Sequence, residues 1–575
     1  MINLDRKKEI KKEIEDVTKL TKSFSLARFG IVILVIIFIV CFITLDQFGL
    51  YLGLSLGGII VLLLVIVFTN PYYHRLKILK NLESIYQKHE NRRALSYRSF
   101  TFDGREFVDY NDYKVLDLDI LGPRSLYQYL CQAKTKGGRA KLAKQLTMPV
   151  AKPKEFTNCV KTLAEDENSL TLEASIAALS SDARDCDEEE LLGLVKKKIK
   201  ISSLAILVMI VSVLAFLAVL LCTLWIDAMA PYYLIFFIPL NFILCRRMLR
   251  NEVFSFPSTK YANLLEGYVR LAKDVLKIKI HDPYYQNLQQ TLNEELPHII
   301  AFYKMFEMLS YRQNLLLSLI GNGTFFMDLW IAIRYNYQSK HLSSIEKGID
   351  ALTELELLLS LATIGMDNQV YTIPTLKDKI EILEGYHPLV KNCVPNSLTL
   401  EGGIVLTGSN MSGKTTFMRM LGVNQILANA GGLVCASSFQ TSNFKVFTSL
   451  RANDMLQEGI STFYAEVNRM KKIVTESEQG NVLVLIDEIF KGTNAKDRIY
   501  AAKEIIKKLH SYQTNFLITT HDFELCEVPI IENYHFDEEY EENKIWFDYK
   551  IKKGKCQKTN AIYLLKLAGV LDTPE

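Results

Sequence analysis

Charged residues disappear from four stretches of the chain. None occurs between Arg28 and Asp46, where residues 29–44 read FGIVILVIIFIVCFIT, and none between Asp46 and His74. The same holds between Lys200 and Asp227 and between Asp227 and Arg246. Each run approaches or exceeds the ~20 residues that carry a helix across ~30 Å of hydrocarbon. They come as two adjacent pairs joined by very short connectors, which predicts two membrane hairpins, 29–70 and 201–245. Residues 1–28 carry Ile10, Ile14, Val17 and Leu20 at helical spacing, an amphipathic leader. The leader is long, holds acids as well as bases, and is followed by no A-x-A site, so the first span reads as retained. A fifth apolar run, 314–335, contains Asn314, Asn322, Gly323 and Asp328. A charge at the centre of a span costs at least ~2.5 kcal/mol, so this run reads as a buried helix.

Between the spans and beyond them the texture is helical until about residue 400. Residues 258–313 and 336–362 place apolar side chains three and four apart among charges, as in Leu264, Leu265, Val269, Leu271 and Val275. After 400 it switches to βα alternation: GGIVLTG, a helix, NVLVLIDE, a helix, NFLITTHD. Strands apolar throughout are buried on both faces, hence a largely parallel sheet.

Composition narrows this only a little. The 575 residues suggest roughly three or four domains. With 49% hydrophobic and 23% charged residues the chain is not disordered, and 67 basic against 64 acidic residues, net +3, exclude a polybasic tail protein. The ten cysteines show no CxxC pair, so neither a zinc ribbon nor a disulfide scaffold is indicated. Lys and Arg are distributed unevenly about the spans. They crowd the leader, follow span two as Arg75, Lys77 and Lys80, precede span three as Lys196, Lys197, Lys198 and Lys200, and follow span four as Arg246, Arg247 and Arg250. The connectors at Asp46 and Asp227 have none. The leader, 71–200 and everything after 245 therefore face the cytoplasm of a multi-pass plasma-membrane protein.

The chemistry lies in the βα region. Gly408-Ser409-Asn410-Met411-Ser412-Gly413-Lys414-Thr415 fits GxxxxGK[ST], after an apolar strand and before a helix. Such a loop wraps phosphates with backbone N–H groups; Lys414 would neutralise the β/γ-phosphates and Thr415 would ligate Mg²⁺. A second apolar strand ends in Asp487-Glu488. Asp487 would hold the metal and Glu488 would polarise the attacking water. A third ends at His521, placed to sense the γ-phosphate.

TGSNMSGKTTFMR, GISTFYAEVNRM, VLIDEIFKGTNAKD and ITTHDFEL together resemble, in order and spacing, the ATPase domain of the MutS family of DNA mismatch-repair proteins. EGYHPLV (384–390) and VPNSL resemble the lead-in to that domain, and residues 116–150 and 352–364 are similar to the family's core and lever helices. The resemblance implies a multi-domain fold: α-helical membrane hairpins, a helical core/lever domain and a C-terminal α/β P-loop ATPase domain of MutS/ABC type. Its divisions would be the leader 1–28, hairpin 29–70, a helical segment 71–200 with a core-like part, hairpin 201–245, a core/lever part 246–383 and the ATPase domain 384–575.

The resemblance also implies ATP and Mg²⁺ as cofactors, with Thr416 beside the phosphates and His387 beside the adenine. Ser461 would reach the partner's γ-phosphate in a homodimer, with Glu466 supporting its loop, Gly492-Thr493-Asn494 touching the opposite subunit and residues 545–571 as dimerising helices. Family members usually carry Pro at position 409, Gly at 412 and Gly-Arg at 490–491; none of these departures removes a phosphate or metal ligand. The family's N-terminal mismatch-reading domain has no room here. Two readings stay open: a DNA-binding, mismatch-repair-like ATPase tethered to the membrane, and a membrane machine whose ATP-driven dimer closure moves the hairpins or acts on protein partners with no DNA. Basic residues 134–139 could touch phosphates, although a solvated helix face is the better reading.

Overall fold

Two antiparallel helices, α1 (Leu4–Thr44) and α2 (Phe48–Arg93), begin the chain and are its longest elements, about 60 and 70 Å at 1.5 Å per residue. This computed structural model describes residues 4–44, 48–179, 188–196, 203–225, 239–241, 243, 258–312, 314, 317, 321, 324–338, 340–409, 411–451, 462–490, 494–541 and 544–556. There follow α3 (Lys136–Thr147), α4 (Lys154–Glu165), α5 (Asn168–Ala177), α6 (Ser203–Trp225), α7 (Ser258–Lys277), α8 (Pro283–Tyr311), α9 (Phe326–Gln338) and α10 (Leu342–Asp367).

The α1–α2 hairpin changes character along its length. From Leu26 to Phe68 its surface is apolar and exposed, as at Phe29, Ile36, Ile43, Leu56, Leu63 and Phe68. Apolar area on that scale is not tolerated against water. Both helices are long and apolar enough to cross a membrane. Toward the protein the pair is held by Lys7–Glu90 and Arg75–Glu13, each at 2.7 Å, and Ile10, Leu82, Ile85 and Tyr86 pack on Leu170 and Ala174 of α5. At the changeover the Arg28 guanidinium lies 4.8 Å from the Tyr73 ring centroid and donates to Thr69, and Phe24 meets Tyr72 at 5.3 Å. α6 carries no charged residue. Most of the expected fourth span lies outside the described residues. The fifth apolar run contributes α9, with Met327, Asp328, Ile331 and Tyr335 buried and Asp328 3.3 Å from Arg312.

α10 is the axis of the helical part. It packs on α3, α4 and α8, so its second half, from Leu355 to Ile364, is buried almost all round. Its buried Glu356 accepts from Lys134 N (2.9 Å) and Thr135 N (3.2 Å), and from the Thr135 hydroxyl. Glu188 accepts from Gly137 N (3.0 Å) and Tyr268 Oη (2.6 Å). Carboxylates thus occupy the N-terminus of α3, where the helix dipole favours anions. Arg139 is buried too, its guanidinium 4.2 Å from the Phe102 ring. The basic run 134–139 is in large part an internal joint, contrary to the solvated face read from its charges.

Strands begin earlier than the sequence pattern indicated, because β1 (Thr375–Leu376), β2 (Ile380–Gly385) and β3 (Asn396–Leu400) are short and alternate apolar with polar residues. After β4 (Gly403–Thr407) come α11 (Lys414–Asn429), β5 (Ser438–Thr441), β6 (Lys445–Ser449), α12 (Thr462–Ser477), β7 (Val482–Asp487), α13 (Ala495–Ser511), β8 (Asn515–Thr519), β9 (Glu532–Phe536), β10 (Glu539–Glu541), β11 (Lys544–Trp546) and β12 (Ile551–Lys553). A mixed sheet has the order β1-β5-β2-β3, and a six-stranded sheet the order β12-β9-β4-β8-β7-β6. The larger sheet is parallel except for its edge strand β12, and β4, β7 and β8 are almost wholly buried, as continuous apolar strands require. β11 and β12 occupy the start of the segment read as dimerising helices; residues 557–571 lie outside the described residues.

Candidate nucleotide site

The central strands β4, β7 and β8 end at one edge of the sheet, and the motif residues follow them there. β4 runs into the Gly408–Thr415 loop, and Gly413 caps α11 with φ +106°. Gly408 has φ +143°, and a Cβ there would stand 2.9 Å from Phe536 O, so only glycine fits. Met411 takes the left-handed turn, with φ +73° and an exposed side chain. Ser412 needs no positive φ, and its Oγ donates to Ser409 O at 2.9 Å, bracing the loop. Asn410 lies outside the described residues. Lys414 Nζ donates to Gly408 O and Ser409 O, both at 2.7 Å, which folds the ammonium over the loop. Burial lowers the Lys414 pKa, opposed by Asp487 and Glu488.

Asp487 ends β7 and is held from both sides. Thr415 Oγ1 donates to its Oδ2 at 2.9 Å and Thr519 Oγ1, at the end of β8, donates to its Oδ1. The hard oxygen donors Thr415 and Asp487 therefore stand side by side, a pair suited to Mg²⁺. Glu488 sits one residue past the strand with φ +60°, its N–H donating to Thr519 O at 3.2 Å. A glutamate rarely adopts that backbone, and here it turns the carboxylate to His521, whose Nε2 lies 3.1 Å from Oε1. The next residue, Asp522, accepts both arms of Arg498 on α13 at 2.8 Å, which fixes the turn carrying His521. Asn494 caps α13, its side chain accepting from Asp497 N; Gly492 and Thr493 lie outside the described residues. Ser461 does too, and Glu466 stands just past the first turn of α12.

A cavity of about 780 Å³ opens beside the loop, lined by Lys414, Thr415, Thr416, Asp487 and Glu488 at one end and by Val390–Val394, Asn396 and Tyr549 elsewhere. Its size suits a nucleotide. Tyr549 adopts φ +52°, with its carbonyl accepting from Asn396 Nδ2 at 2.9 Å, while Ile551 N donates to Asn396 Oδ1 at 2.8 Å. Motif reading missed Tyr549, Asn396 and Arg498 because none lies in a phosphate motif; the φ > 0 turn at Tyr549 leaves no Gly or Asn signature to find. His387 lines an adjoining cavity rather than this one. It is buried, its Nδ1 accepts from Leu389 N at 3.2 Å, and burial, helped by Arg419, lowers its pKa to about 4, so it is neutral.

One short segment of the core packs close to this site. Asp117 is fully buried and accepts from Thr448 Oγ1 (2.7 Å), Leu450 N (3.0 Å), Arg451 N (3.2 Å) and Arg469 (3.4 Å). Asp119 pairs with Arg419 of α11 at 3.2 Å and with Arg451 at 2.7 Å. Between them Leu118 fills the space over Gly422 of α11, where a Cβ would stand 2.8 Å from it and 3.0 Å from Leu485 of β7.

Residues 404–573 match the family model of MutS domain V. The DNA mismatch repair protein MutS of an Exiguobacterium species is 30% identical over 261 residues, covering 43% of this chain and 31% of that protein. That of Thermus thermophilus is 28% identical over 306 residues, 51% of this chain and 37% of that protein. Human MutS protein homolog 4 is 31% identical over 255 residues, 41% and 27%. The chain spans about a third of the length of these relatives. With its phosphate loop, paired carboxylates and strand-end histidine in their order, the chain is a MutS-like protein that carries MutS domain V.

Proposed function

We propose that this chain is a membrane-anchored ATPase that binds and hydrolyses ATP with Mg²⁺, and that the cycle closes a homodimer coupled to DNA binding. The observation that carries the reading is the convergence of Lys414, Thr415, Asp487 and Glu488 on one cavity, with His521 3.1 Å behind Glu488. The loop N–H groups at the start of α11 and Lys414 bind phosphate oxygens. Thr415 and Asp487 would hold Mg²⁺, which would supply charge neutralisation for the phosphates. Glu488 orients a water and takes its proton; His521 holds that carboxylate in place and is poised toward the γ-phosphate.

Replacing Glu488 with Gln keeps its shape and removes the base. Nucleotide and Mg²⁺ still bind while turnover falls by roughly 10²–10⁴-fold. Lys414→Ala weakens nucleotide binding instead. Nucleotide affinity and steady-state hydrolysis, measured for both, test the assignment; wild-type turnover by Glu488→Gln would overturn it.

A second reading, an ATP-driven membrane machine acting on protein partners without DNA, is favoured by the inward turn of the Lys134–Arg139 run, which removes a candidate phosphate contact. Binding of the detergent-solubilised protein to homoduplex, mismatched and branched DNA across a salt series separates the two, since phosphate contacts impose a steep salt dependence.

A further inference from the structure

α9 presents three faces, and only two of them are covered. Met327, Ile331 and Tyr335 enter the main core, and Asp328 is buried beside Arg312. Phe325, Leu329 and Ala332 pack on Ala205, Ile206, Met209 and Val213 of α6. The third face is Phe326, Trp330, Ile333 and Tyr337, with Phe326 63%, Ile333 54% and Tyr337 48% exposed and Trp330 half-buried, one side against the main core. Its first three residues each follow a member of the α6-facing set by one position, about 100° further round the helix. The stripe is therefore contiguous with the α6 contact, and α6 itself exposes Leu204, Leu207, Val211 and Leu214.

We infer that α9 lies in the plane of the membrane surface, seating Phe326, Trp330, Ile333 and Tyr337 in the headgroup–acyl boundary of the bilayer that α6 crosses; this rests on the membrane reading proposed above. Whatever covers the outer face of α6 reaches the stripe, since the two surfaces adjoin. The stripe has the chemistry of that boundary: apolar bodies, with polar tips on Trp and Tyr. Its charges fit as well. Arg334 lies 5.4 Å from the Trp330 ring and Lys340 is exposed just beyond, whereas the one acid of the helix, Asp328, is buried. The Tyr337 ring continues the aromatic line, stacking on His341 at 4.4 Å. A helix so placed fixes α8 and α10, on either side of it in the chain, against the bilayer.

The test uses the full chain in nanodiscs of phosphatidylcholine and phosphatidylglycerol, with Trp225→Phe and Trp546→Phe leaving Trp330 as the single reporter. Lipids brominated near the headgroup end of the chain should quench Trp330 more than lipids brominated near the terminal methyl, and aqueous iodide should quench it weakly. A parallel protein keeps only Trp225, at the end of α6. If bromolipids quench Trp225 but not Trp330, the α9 inference falls and the membrane reading stands; a Trp330 shielded from both lipid and iodide would mean a protein partner, such as a second copy, covers the stripe. If neither Trp is quenched by lipid, both fall. A Tyr337→Cys protein probed with an impermeant maleimide gives a second measurement without removing Trp: slow labelling in nanodiscs and fast labelling in detergent are expected, and equally fast labelling in both would overturn the inference.

Discussion

At the scale of single residues, His89 shows how little of a side chain's role its neighbours in sequence disclose. It sits on the protein-facing end of α2, fully buried, with Nδ1 2.8 Å from Asp367 and Nε2 3.1 Å from Glu173. Burial alone lowers its pKa, but Asp367 and then Glu173 outweigh it and raise the value to about 9. A histidine with a raised pKa stabilises the fold fully below its unfolded pKa of about 6.5, and the contribution is lost as pH rises through 9. Lys88 beside it runs the opposite way, its pKa lowered to about 7 by burial and by Lys134. Lys88 is present in both proteins when wild type is compared with His89→Gln, so its direct contribution cancels in the difference. The stability advantage of wild type over His89→Gln should be greatest below about pH 6.5 and shrink between there and pH 9; an advantage that grew with pH would refute the assignment.

Elements couple through sockets that a linear pattern does not reveal. LDLDIL resembles family sequence, yet nothing in it announces that Asp117 crosses over 300 residues of chain to close a network with Thr448, Leu450, Arg451 and Arg469. Removing one partner of a buried charge network costs about 3–5 kcal/mol, since it strands Arg469 and two backbone N–H groups. The Asp119 ion pairs are part-exposed, and such pairs are worth at most about 1 kcal/mol. Asp117→Ala should therefore destabilise the protein by several times more than Asp119→Ala in chemical unfolding, although the two acids stand two residues apart. Equal losses would mean that the segment is held by Leu118 against Gly422 rather than by charge.

For the whole molecule the question, on the membrane-anchored reading proposed above, is how the nucleotide cavity is connected to the bilayer. α2 runs without interruption from its exposed apolar half to the His89–Asp367–Glu173 contact at the end of α10, and Asp367 lies shortly before the strands that lead to the nucleotide cavity. A continuous helix transmits displacement along its axis, so the hairpin is a stalk anchored in the core. On that reading the Lys/Arg asymmetry predicts its orientation. A cysteine introduced next to Asp46 or Asp227 should react with an impermeant reagent from outside intact cells, and one at Arg250 or Glu575 only after the membrane is opened. External labelling at Glu575 would reverse the topology and return residues 314–335 as a fifth span.

The phosphate-loop motif, the Asp487–Glu488 pair and His521 at strand ends, the first apolar hairpin and the parallel central sheet were legible in the sequence. Each is a local event: a GxxxxGKT spacing, an apolar strand ending in carboxylates, a charge-free run long enough for a bilayer. What only the tertiary structure decided is what depends on distant residues meeting. It turned the basic run at 134–139 inward, because Glu356 and Glu188 satisfy the amides at the start of α3, and a charge pattern cannot say which carboxylate arrives. It put His387 in a neighbouring cavity and brought Tyr549, 135 residues after Lys414, to the nucleotide cavity through a backbone turn that no residue type advertised. It also set Asp117 at the end of β6 in the six-stranded sheet, since a buried charge finds its partners by folding and not by proximity in sequence.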